Sequence, residues 1–284
     1  MIHKEASRTT QRPALLRAAH QLLDDVPKIF VDPLAVGLIP EASAEAIFAD
    51  GALMHSRPYQ LLRSVFVVRA RYAEDCLAEA VRDGVGQYVI LGAGLDTFAY
   101  RQPAYARDLE IFEVDHPATQ AWKRTRLTAQ GITPPRNLRY LAVDFERDRL
   151  ERRLAESGFS MQRPAFFSWL GVVQFLSAPA IEATLRFIAG LPRGSAITLS
   201  FAVPRDLLDG EHLELAEYSI ESCASRGEPW VSLCRPGDLR TLARQAGFSD
   251  SEHLDPAVVA ERYFSSRSDG LCAPRHEQLL TARV

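Results

Sequence analysis

From residue 87 onward, short apolar runs alternate with segments of helical spacing. Gln87–Leu91, Leu109–Asp115, Leu138–Asp144, Ala165–Trp169 and Ser195–Val203 read as strands, and Phe248–Leu254 and Leu279–Arg283 as two more. Near-continuous apolar runs suit strands buried on both faces, and strand–helix alternation predicts a parallel sheet with helices on both sides. Before residue 85 the pattern is helical: Pro13–Asp25, Asp32–Leu38, Ser43–Asp50, and Arg57–Arg82 as one or two helices. Asp206–Arg226 reads as a helical insertion after the fifth strand. Arg240–Ala246 reads as a helix closed by Gly247, and Pro179 suits the first turn of the helix after the fourth strand. The expected division is an N-terminal helical cap at 1–84 and a Rossmann-like sheet domain at 85–284, with its insertion at about 206–226.

The stretch QYVILGAGLDTFAYR (87–101) carries the first chemical signal. An apolar strand runs into Gly92, Ala93 and Gly94, then Asp96 and Thr97, and then a helix. That is the opening unit of a nucleotide-type fold, with glycines that let a ligand lie against bare backbone. A dinucleotide fingerprint would carry a third glycine where Thr97 stands. Its absence argues against NAD or FAD and favours a ligand without a pyrophosphate, such as S-adenosylmethionine (SAM). The competing reading is a purely structural turn.

The second and third strands also end in acids. Glu113 lies twenty-one residues beyond Gly92, at the spacing where a carboxylate holds a ribose diol, and Asp115 falls on the same strand face. Against this stands the reading of both as solvated strand-end charges. Asp144 and Phe145 follow the third strand and could grip adenine, one by hydrogen bonding and the other by packing. Asp144 could equally cap the helix that follows.

Together, GAGLDT-x-x-YR, FEVDHP, the Val-Asp-Phe turn and WLGVVQFL resemble the leucine carboxyl methyltransferase family, whose bacterial branch includes O-methyltransferases of polyketide and other natural-product pathways. KIFVDPLA (28–35), RARYAED (69–75) and GEPW (227–230) extend the resemblance over most of the chain. It implies a class I SAM-dependent methyltransferase fold, an α/β Rossmann-like sheet of seven strands, mostly parallel, with an antiparallel last strand and a helical cap. It also implies that Arg69 holds the SAM carboxylate, with Arg17 as a second candidate, and that Trp169 belongs to the cofactor site. The SAM amino group would be received by the Gly92 carbonyl or nearby backbone. One departure stands out: Leu170 occupies a position where the family usually has Glu.

Bulk properties set limits. The chain has 284 residues, 47% of them hydrophobic, and a net charge of −3, which gives no electrostatic case for nucleic acid or anionic membrane. Cys76, Cys223, Cys234 and Cys272 are scattered without a C-x-x-C, so neither zinc nor a disulfide framework is expected, and reduced thiols in the cytoplasm are. The polar start MIHKEASRTTQRP lacks a signal core, and no apolar run is long enough to span a membrane.

The expected reaction is in-line methyl transfer to an acceptor oxygen of a small molecule, with SAH as the other product. A carboxylate acceptor is already ionised and needs no base, whereas a phenol would be helped by one. His55, His116, His212 and Tyr218 are the available candidates, each with a plainer reading as an ordinary polar residue. Two alternatives remain at this stage: an NAD(P)-dependent oxidoreductase, and a SAM- or SAH-binding protein without methylating activity.

Overall fold

The computed structural model describes residues 8–39, 45, 47, 49, 51–143 and 148–284. Seven strands form one sheet: β1 (Gln87–Leu91), β2 (Glu110–Asp115), β3 (Leu138–Ala142), β4 (Ala165–Trp169), β5 (Ala196–Ala202), β6 (Asp250–Leu254) and β7 (Glu277–Arg283). Their order is β3-β2-β1-β4-β5-β7-β6. β1 pairs in parallel with β2 and β4, and β2–β3 and β4–β5 are also parallel. β7 runs antiparallel to both neighbours, with Glu277 opposite Ala202 and Arg283 opposite Ala196. The sheet therefore reverses between β1 and β4, which opens the crevice where ligands of open α/β sheets bind.

The apolar strands are those packed from both sides. Every residue of β1, β4 and β5 is buried, while β3 and β6 at the sheet edges carry mixed patterns. The longer helices are α1 (Arg8–Leu23), α2 (Arg57–Arg82), α3 (Pro117–Ala129), α4 (Leu150–Glu156), α5 (Ala178–Ala189), α6 (Gly210–Ala224) and α7 (Pro236–Ala246). α2 is a single helix that lays Val67, Val68, Tyr72, Cys76 and Leu77 on the sheet face formed by Tyr88, Ile90, Ile111 and Phe166. The opposite face packs Val89, Leu91, Phe112, Phe167 and Leu199 against Ile181, Leu185 and Ile188 of α5.

Several boundaries differ from the sequence expectation, among them that of β7, which starts at Glu277 and not at Leu279. α1 begins at Arg8 and carries Pro13 inside it, because the polar run upstream offers no apolar periodicity to mark a start. α7 begins at Pro236, three residues before its first buried apolar residue, Leu239. The insertion after β5 breaks in two: a 3-10 turn at Arg205–Leu207 precedes α6, whose cap position Asp209 is extended. Among the described residues, no helix is long and apolar enough to cross a membrane.

Candidate functional site

A cavity of about 610 Å³ opens at the C-terminal ends of the parallel strands. α1, α2, α6, the β1 turn and the 226–231 segment all contribute to its wall. Its floor is the glycine turn. The amides of Gly92 and Ala93 donate to the Val114 carbonyl (2.8 and 3.1 Å), which pins the turn to β2. Gly92 has φ of +67°, and a Cβ there would stand 2.4 Å from Val172 Cγ2. Gly92→Ala should therefore destabilise the protein by about 2 kcal/mol, combining left-handed strain with a packing clash. Urea denaturation followed by circular dichroism would measure this loss.

Asp115, the last residue of β2, lines the cavity. One of its oxygens accepts from the Gly94 amide and the other from the His116 amide. Burial pushes the Asp115 carboxyl up, and the two amides draw it back down. Asp96 also lines the cavity while its Oδ1 accepts from the Phe98 amide at 2.7 Å, ordering the start of the short helix after the turn.

Arg69 reaches the cavity from α2. Its Nη1 donates to Glu277 Oε1 of β7 at 2.8 Å, and its guanidinium lies over the Phe66 ring, 4.5 Å from the centroid. Gly171 gives it room, since a Cβ there would meet Arg69 Nη1 at 2.5 Å. The Gly171 amide is held by Ser200 Oγ at 2.7 Å. Leu170 lines the same cavity and contributes no charge to it.

The other expected residues are placed differently. Arg17 reaches the wall, but its Nε donates to Asp32 Oδ2 (3.0 Å) and its Nη2 to the Leu95 carbonyl (2.6 Å). Its guanidinium ties the prologue to the glycine turn. Glu113 does not line the cavity: its carboxylate is buried on β2, where Lys123 of α3 donates to it at 2.7 Å. Side-chain alternation did put it on the Asp115 face, but one pleat deeper, where α3 covers it. Trp169 is wholly buried in the core beneath the cavity and is no part of its wall. Asp144 and Phe145 lie outside the described residues.

Several wall residues had no signal in the sequence reading. Glu277 is one; Arg12 and Phe66 are others. Asp32 is a hidden organiser: wholly buried, it accepts from Arg17 and from Thr97 Oγ1 at 2.8 Å, joining KIFVDPLA to the β1 turn. GEPW does reach the wall, and the amides of Val231 and Ser232 just after it donate to the Gln174 carbonyl.

Of the expected bases, His116 lines the cavity and His55, His212 and Tyr218 do not. His116 Nδ1 accepts from the Ala118 amide at 3.2 Å and caps α3. Tyr218 lies under the Arg12 guanidinium at 5.1 Å. His276 is on the wall, yet burial lowers it to about 4, so it is neutral at ordinary pH.

Comparison with known proteins gives a consistent result. A family model described as leucine carboxyl methyltransferase matches residues 10–189. A Bacillus subtilis (strain 168) protein named "Putative S-adenosyl-L-methionine-dependent methyltransferase YktD" is 31% identical over 294 residues, covering 96% of each chain. A Mycolicibacterium paratuberculosis protein of the same description is 35% identical over 201 residues, covering 67% of this chain and 64% of its own. Among solved structures, a Thermobifida fusca YX protein described as a "putative methyltransferase" superposes with a TM-score of 0.59 at 18% identity, covering 95% of this chain and 93% of its own. That last likeness is one of fold.

Proposed function

Because the chain belongs to the leucine carboxyl methyltransferase family and has the class I SAM-dependent methyltransferase fold, we propose that it methylates a carboxylate of a small molecule, such as a polyketide acid, to give a methyl ester. The observation that carries the reading is the convergence on one cavity of the glycine turn, Asp115 and Arg69. A SAM molecule presents a ribose diol, a carboxylate and an ammonium group, and the cavity offers a strand-end carboxylate, a guanidinium and bare backbone. Its volume lies in the ordinary range for small-molecule sites.

In this reading Asp115 accepts from the ribose hydroxyls, and the Gly92–Gly94 backbone lets the cofactor lie close. Arg69 receives the methionine carboxylate with a planar fork that lysine lacks. Bound SAM supplies an electrophilic methyl group. What the protein adds is alignment and exclusion of water, with the helices of the 1–84 cap and α6 forming the outer wall. Among the described residues the expected bases stand off the wall or, as with His116, are engaged in capping α3, which fits an acceptor oxygen that is ionised before it binds. The aromatic wall residues Phe66, Phe175 and Trp230 suit an acceptor with apolar bulk.

Single-turnover methyl transfer at saturating SAM, with a panel of carboxylic acids and phenols, tests this reading. His116→Ala and His212→Ala should each retain the chemical step within about tenfold, or 1.4 kcal/mol. A thousandfold loss in either, with folding and SAM binding intact, would move the acceptor to a phenol or alcohol. SAM binding with no turnover on any acceptor would favour a member without methylating activity.

A further inference from the structure

The Arg69–Glu277 pair is the feature of the cavity that the proposed reaction leaves unexplained. Glu277 is the first residue of β7. That strand runs antiparallel to β5, so its first residue, and not its last, stands at the ligand end of the sheet, opposite Ala202. The side chains of Arg69 and Glu277 are 12% and 7% exposed, and both line the cavity. They touch through one nitrogen and one oxygen, at 2.8 Å. Such a contact leaves the fork and the carboxylate with capacity for further partners.

A purely structural ion pair at this place is poorly motivated. Burying two charges is costly, and hydrophobic residues of similar volume often do as well. A zwitterionic ligand changes that balance. Its carboxylate beside the guanidinium and its ammonium beside the carboxylate would complete a ring of alternating charges.

The other wall acids are less suited to the ammonium. Asp115 is bracketed by the amides of Gly94 and His116, and Asp96 by that of Phe98. Glu228 has an interaction of its own.

We propose that Arg69 and Glu277 together form a cradle for the α-amino-acid end of the cofactor, Arg69 binding its carboxylate and Glu277 its ammonium. The assignment rests on the Arg69 reading above. It gives Glu277 a binding role and makes the cavity selective for a zwitterion over a plain anion.

Calorimetry on the full chain with three probes tests it: SAH, the deaminated analogue of SAH that keeps its carboxylate, and 5′-methylthioadenosine, which lacks the amino-acid end. The unaltered protein should bind SAH at least tenfold more tightly than the deaminated analogue. Glu277→Gln, which keeps the shape and the acceptor facing Arg69, should weaken SAH about tenfold. It should leave 5′-methylthioadenosine within twofold and abolish the preference for SAH over the deaminated analogue. Equal binding of SAH and the deaminated analogue by the unaltered protein would overturn the proposal without any variant. So would unchanged SAH affinity in Glu277→Gln, or an equal loss of all three probes. Arg69→Gln separates the two assignments. It should weaken both SAH and the deaminated analogue while sparing 5′-methylthioadenosine, and no effect on either would mean that the Arg69 reading itself is wrong.

Discussion

Asp115→Ala is expected to weaken SAH binding by about 3 kcal/mol, roughly a hundredfold, because hydrogen bonds to a charged group each contribute about 1.5–3 kcal/mol. Two losses combine in this variant. The ribose hydroxyls lose their acceptor, and the Gly94 and His116 amides lose the carboxylate that orients them. The second loss loosens the turn on which the cofactor would lie. Asp115→Asn should cost less, about 1–2 kcal/mol, since its carbonyl oxygen can still serve one amide. Titration calorimetry with SAH measures both variants. Unchanged affinity in the Ala variant would remove Asp115 from the cofactor site and with it the proposed orientation of the cofactor along β1 and β2.

What could be read in the sequence was what local pattern dictates. Strands buried on both faces announce themselves as unbroken apolar runs, so β1 and β4 agree with their expected bounds to the residue. The glycine turn was visible because only glycine tolerates φ of +67° beside Val172. Contacts between distant segments were hidden. Glu277 meets Arg69 across 208 residues of chain, in a polar stretch that lacks the apolar flank of a strand. Asp32 gave no hint that its carboxylate holds both Arg17 and Thr97. Glu113 and Trp169, the first placed by strand-end spacing and the second by the resemblance, do not reach the cavity wall. Sequence alternation says which sheet face a side chain shares but not how deep beneath the crevice it sits, and α3 and the core cover these two.

Glu113 is therefore expected to act on stability and not on the cofactor. Lys123 is 1% exposed and donates to Glu113 at 2.7 Å, so Glu113→Ala strands a buried ammonium and should cost about 3–5 kcal/mol. Lys123→Met should cost less, because the stranded group is then a carboxyl that can take up a proton. Burial already raises Glu113 to about 7, against an ordinary 4.5. The sign of the pH dependence follows. Between about 4.5 and 7 the folded chain holds a proton at Glu113 that the unfolded chain has released, so this contribution to stability is full below 4.5 and is lost as pH rises towards 7. His276 works in the opposite direction: burial lowers it to about 4 from 6.5, so its contribution is full above 6.5 and is lost as pH falls towards 4. At pH 6.5 an unfolded histidine is still half protonated, so His276, and His212, which burial also lowers, oppose the Glu113 trend; both are common to the unaltered protein and a Glu113 variant and cancel in the difference between them. Urea denaturation at pH 6.5, 7 and 8 should show the stability of the unaltered protein falling relative to that of Glu113→Gln as pH rises. SAH affinity should be the same in both, since Glu113 does not reach the cavity. A Glu113→Gln variant that folds normally but loses SAH would return Glu113 to the binding site, where the strand-end spacing first placed it.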